Sequence, residues 1–174
     1  MKLRLKKLVD KKAELSRTFE YMGDLFVLVN LTIVPPVMLS PVHWRLQYDK
    51  NPPLDMKING DTGELSEITF FIADKKINSK KHALKENKIN HGIPIFYTDL
   101  WENSARYFDE KGEINILRDE DCLVFNFTDS QDSELVYVNP KLKLIFNSDS
   151  FIDGFILSNL TEQELSVLRR ASLI

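Results

Sequence analysis

Cysteine is nearly missing. Cys122 stands alone, so no intrachain disulfide framework exists and nothing points to an oxidising compartment. Glycine is scarce too, at 6 residues, while phenylalanine reaches 11, which excludes a disordered or linker-like chain. Long apolar runs are lacking. The longest, about Leu25 to Val34, falls short of the ~20 residues of a membrane-crossing helix, and Asn30 and Thr32 interrupt it. The acidic Asp10, Glu14 and Glu20 ahead of it do not fit a secretory leader, and the expected location is the cytoplasm. Histidine numbers three, at His43, His82 and His91, none at metal-ligand spacing. There is no nucleophile elbow, phosphate loop, dinucleotide fingerprint or internal repeat. The sequence therefore favours a binding protein over an enzyme, with no metal and no cofactor.

What is present is a chain of 174 residues with 43% hydrophobic and 28% charged side chains, the size and balance of one folded domain of about 150 residues. The net charge of −3 hides an uneven distribution. Residues 1–17 carry seven Lys/Arg against Asp10 and Glu14, residues 75–91 carry six Lys against Glu86, and residues 109–134 carry nine Asp/Glu against Lys111 and Arg118. Such asymmetry bears on partners and steering rather than on fold.

The middle of the chain is patterned most clearly. Leu54, Met56 and Ile58 alternate with Asp55, Lys57 and Asn59, the period of a half-buried strand. Gly60-Asp61-Thr62-Gly63 reverses the chain, and Leu65, Ile68, Phe70 and Ile72 return. The alternation slips near Ser66-Glu67, which predicts a bulge. Asp61-Thr62-Gly63 spells the aspartic-protease tripeptide, but the chain has one copy where that chemistry needs two facing carboxylates, and a plain hairpin turn is the better reading.

Elsewhere Leu25 to Val34 reads as a buried strand, and His43 to Tyr48 as another, with Trp44, Leu46 and Tyr48 alternating with His43, Arg45 and Gln47. Three helices are expected. One covers 2–22, from the spacing of Leu5, Leu8, Leu15, Phe19 and Met22, with no aromatic among the lysines and arginines of its solvated face. A second runs from Thr98 or Asp99 to Phe108. A third follows Thr161, with Glu164 at capping-box spacing. Residues 74–92 read as a lysine-rich surface connection, with a short exposed helix at about 79–87. Residues 113–157 read as an antiparallel meander with Cys122 as a small apolar side chain. The expected fold is α+β, a single domain with a mostly antiparallel sheet flanked by about three helices.

Trp44, the hairpin Asp61-Thr62-Gly63-Glu64-Leu65 and the Thr161 to Arg170 helix resemble the bacterial immunity-type proteins encoded beside polymorphic toxins. The resemblance implies inhibition of a toxin by electrostatically steered binding. It transfers no site residue, because such surfaces differ with each toxin. The residues themselves offer an acidic surface of Asp119, Glu120, Asp121, Asp129, Asp132 and Glu134, whose mutual repulsion a basic partner relieves. The expected partner is another protein, such as a basic toxin, rather than nucleic acid or a membrane. The competing reading is a small ligand or substrate held between sheet and helices by His43, Arg45 and Tyr48.

Overall fold

Strands, not helices, build this protein. The computed structural model describes residues 1–34, 40–48, 50–73, 77–79, 89–101, 105–128 and 133–174. Among the described residues lie β1 (Leu5–Val9), β2 (Glu14–Gly23), β3 (Phe26–Val34), β4 (Pro41–Gln47), β5 (Leu54–Asn59), β6 (Leu65–Ala73), β7 (Asn78–Ser79) and β8 (Ile89–His91). They continue as β9 (Ile93–Phe96), β10 (Tyr107–Lys111), β11 (Asn115–Asp119), β12 (Cys122–Asn126), β13 (Ser133–Asn139), β14 (Leu142–Asn147), β15 (Ile152–Leu157) and one helix, α1 (Glu162–Arg170). A six-stranded sheet runs β10-β4-β5-β6-β3-β2 and a seven-stranded sheet runs β7-β11-β12-β15-β14-β13-β8. The two-stranded ribbon β1-β9 bridges to both, through Glu64 opposite Ile95 and Arg4 opposite Phe151. Pairing is antiparallel except at β10–β4, β11–β7 and β13–β8.

The two larger sheets share one apolar core. Phe70 of the first meets Phe125 and Phe155 of the second at centroid distances of 4.9 and 5.3 Å, and Trp44 meets Phe127 at 6.0 Å. Burying a large apolar side chain contributes about 1.5–3 kcal/mol, so these facing aromatics hold the layers together.

The expected α+β class is thus overturned. Residues 2–22 form β1 and β2 rather than a helix. Leu15, Arg17, Phe19 and Tyr21 stand opposite Ile33, Leu31, Val29 and Val27, and Met22, assigned to a helical inner face, is 55% exposed. A helix here would strip β3 of its partner and leave an apolar edge in water; tertiary pairing overrode the helical spacing. The helix expected to end at Phe108 is also corrected: Tyr107 to Lys111 runs parallel to β4, while residues 102–104 lie outside the described residues. The helix placed at about 79–87 falls largely outside them, and Asn78–Ser79 is a strand. The third helix forms as expected, with both halves of the Thr161–Glu164 capping box and with Leu165 and Leu168 buried.

The central hairpin also forms as read. β5 and β6 pair antiparallel, and the register shifts between Lys57 opposite Glu67 and Ile58 opposite Leu65, leaving Ser66 as the extra residue. The Ser66 hydroxyl donates to the Lys57 carbonyl at 2.9 Å and fixes the bulge. At the turn, the Asn59 side chain accepts from the backbone N–H groups of Asp61 and Thr62. Gly63 adopts φ +78°, and a Cβ there would run into the Phe96 carbonyl, so glycine is required. The late strands depart from a simple meander, because β15 is inserted between β12 and β14.

Candidate functional site

The outer face of the six-stranded sheet collects an ordered polar surface. Period two puts Trp44 and Leu46 in the core and turns His43, Arg45 and Gln47 outward. The pairing then aligns rows across strands. Tyr107, His43, Lys57 and Glu67 form one row from β10 to β6, and Asp109, Arg45, Asp55 and Thr69 form the next.

Each row is cross-braced. Arg45 grips Asp109 through two parallel bonds, Nε to Oδ1 at 2.6 Å and Nη2 to Oδ2 at 2.8 Å. These bonds raise the Arg45 pKa above its ordinary value and hold the Asp109 carboxyl below the usual range. His43 Nδ1 lies 2.8 Å from Asp55 Oδ2, and Lys57 Nζ lies 3.8 Å from Glu67. Tyr107 stacks on the His43 ring at 4.9 Å and under the Arg45 guanidinium at 4.4 Å, yet is 54% exposed. Beneath the face, Trp101 donates its indole N–H to the His43 carbonyl, and Trp44 donates to Glu110 at 2.9 Å. Beside the polar rows lies an apolar strip: Phe71, opposite Leu28, meets Phe26 at 5.0 Å, and the exposed Met22 lies at the end of β2.

The residues picked from sequence divide. His43 and Arg45 are neighbours on this face. Tyr48 is not with them; it points inward, 7% exposed, and its hydroxyl donates to the Phe71 carbonyl. The alternation that put Trp44 inside does the same to Tyr48, so the three do not line one pocket. Asp119, Glu120 and Asp121 sit together at the β11–β12 turn, where Glu120 has φ +52°. Glu134 does not join them. Asn126, Gly154, Ile145 and Leu135 share a row at the far end of β12, and Glu134 lies beyond it. Asp129 and Asp132 lie outside the described residues.

Sequence reading missed Tyr107, Asp109 and Asp55. The first two were hidden by taking residues up to 108 as helix and 109–112 as a turn; the parallel alignment of β10 on β4 is a nonlocal fact that no short pattern announces. No family model matches the chain, and no curated protein matches it either.

Other chemistry finds less support. Burial pushes the Cys122 thiol up, away from the thiolate form a nucleophile needs. Asp61 is exposed on its turn, not in the dry setting a proton-sharing carboxylate pair needs. Among the described residues no three His, Cys, Asp or Glu side chains converge as a metal site.

Proposed function

We propose that this protein recognises another protein through the outer face of its six-stranded sheet. The observation that carries the reading is the pre-set cluster of Arg45, His43 and Tyr107 across two neighbouring rows, held by Asp109 and Asp55 before any partner arrives. Arginine and tyrosine dominate binding energetics, and side chains already fixed lose little entropy on association. The face's apolar strip of Phe71, Leu28 and Phe26 beside ion-paired rows matches the apolar centre and polar rim of protein interfaces. The partner chemistry that fits is an apolar ridge flanked by acceptors for the remaining Arg45 donors.

The narrower form of this proposal, an immunity-type inhibitor of a toxin, rests on the resemblance of Trp44, the Asp61 to Leu65 hairpin and the last helix. Glu134 lies at the opposite end of the sheet from Asp119 to Asp121, so among the described residues these carboxylates form no single acidic patch, and the sheet face is the better surface for such a partner.

The test compares capture of partners by the wild-type chain, by Arg45→Glu/Tyr107→Ala, and by Asp121→Lys/Glu134→Lys. The expected result is a protein that binds the wild type and the second variant equally and binds the first at least about tenfold more weakly. Equal capture by all three, or loss only with the second variant, contradicts the proposal.

A further inference from the structure

A second surface lies at the β1–β9 ribbon. Residues 5–9 are a strand rather than a helix, and along it and the segment that leads into it the exposed Lys2, Arg4 and Lys6 alternate with the inward Leu3 and Leu5. Aromatic rings from neighbouring segments stand among them. The Arg4 guanidinium lies 5.7 Å from the ring centres of both Tyr97 and Phe151, the Lys6 ammonium 5.9 Å from Tyr97, and Lys2 5.6 Å from Phe108. Main-chain bonds fix the arrangement: Tyr97 donates to the Arg4 carbonyl at 3.0 Å, Leu5 to Ser150 and Ile152 to Leu3.

Lys2, Arg4, Tyr97, Asp99, Leu100 and Phe151 line a cleft of about 400 Å³. Arg17 and Arg45 spend their donors on carboxylates, but among the described residues no hydrogen bond or ion pair engages the Arg4 guanidinium. Rings hold it in place and leave its planar fork open to an anion. Successive cations two residues apart on a strand are spaced roughly 7 Å, comparable to successive phosphates of an extended single strand. Tyr97, 38% exposed, offers a face on which a base can stack, and Asp99 at the rim offers an acceptor for sugar hydroxyls.

We propose that this cleft binds a nucleotide, either free or as one unit of single-stranded RNA, with phosphate on Arg4 and Lys2 and the base on Tyr97. The surface is separate from the sheet face argued above, so either reading stands without the other.

The test uses the full chain with two probes, AMP by calorimetry and a fluorescein-labelled oligouridine by anisotropy. At least one binds, and Arg4→Glu and Tyr97→Ala each weaken it about tenfold or more, while Tyr97→Phe and the distant Arg118→Glu bind like wild type. Tighter binding of the strand, weakening about sevenfold between about 50 and about 200 mM salt as two phosphate contacts require, assigns the site to single-stranded RNA. Equal affinity for AMP assigns it to free nucleotide. Lys2→Glu replaces Arg4→Glu if circular dichroism shows the latter unfolded. No binding of either probe at about 1 mM, or binding that the Arg4 or Lys2 reversal and Tyr97→Ala leave unchanged, overturns the proposal.

Discussion

Arg17 and Arg45 make nearly the same bond in opposite settings. Each grips one carboxylate with two parallel contacts, Arg17 on Glu164 at 2.7 and 2.7 Å and Arg45 on Asp109 at 2.6 and 2.8 Å. Arg17, however, is 1% exposed and also donates to the carbonyls of Lys141, Ser158 and Asn159, so one side chain ties β2 to the helix and to the turns of the second sheet. Arg45 and Asp109 lie 29% and 49% exposed. Geometry alone therefore does not rank them. Water screens the outer pair, while removing Arg17 leaves the inner carboxylate partly buried without its counter-cation. The inner arginine fastens the fold; the outer one shapes a face.

Breaking this contrast begins with Arg17→Ala, which takes the guanidinium from Glu164 and a donor from three carbonyls and should cost about 3–5 kcal/mol in urea unfolding. Next comes pH. Burial acts to raise the Glu164 carboxyl, but its bonds to Arg17 and the Thr161 cap outweigh that and leave it below its ordinary value. A depressed carboxyl stabilises above its unfolded pKa of about 4.3, and the stabilisation is lost as pH falls through the folded value. Acid titration of stability should thus flatten in Arg17→Ala relative to wild type. Arg45→Ala should cost under about 1 kcal/mol, and added salt should shrink that difference while leaving the Arg17→Ala deficit in place. The smallest effect expected is for Tyr107→Ala, under about 0.5 kcal/mol of stability, since its ring is half in water.

These two arginines also mark what the sequence could reveal. Local alternation exposed β5, β6 and the outward pair His43 and Arg45, and local capping chemistry exposed the last helix. Residues 14–23 alternate equally well, but Leu5, Leu8, Leu15 and Phe19 also satisfy helical spacing, and only pairing along the whole of β3 decides between them. Arg17 looked like surface charge because its partner lies far along the chain. Tyr107 and Asp109 became visible only with the parallel pairing to β4, and the basic-aromatic cleft only with the pairing of β1 on β9 and of Arg4 opposite Phe151. In each case the missing information was a long-range neighbour, not a local preference.

Hydroxyl-radical footprinting of the captured complex tests recognition through the six-stranded sheet most directly. In the free chain Tyr107 and Met22, each more than half exposed, should label readily alongside Tyr97. Partner binding should shield Tyr107 and Met22 and leave Tyr97 labelled. Unchanged labelling of Tyr107 in a saturated complex would contradict the account.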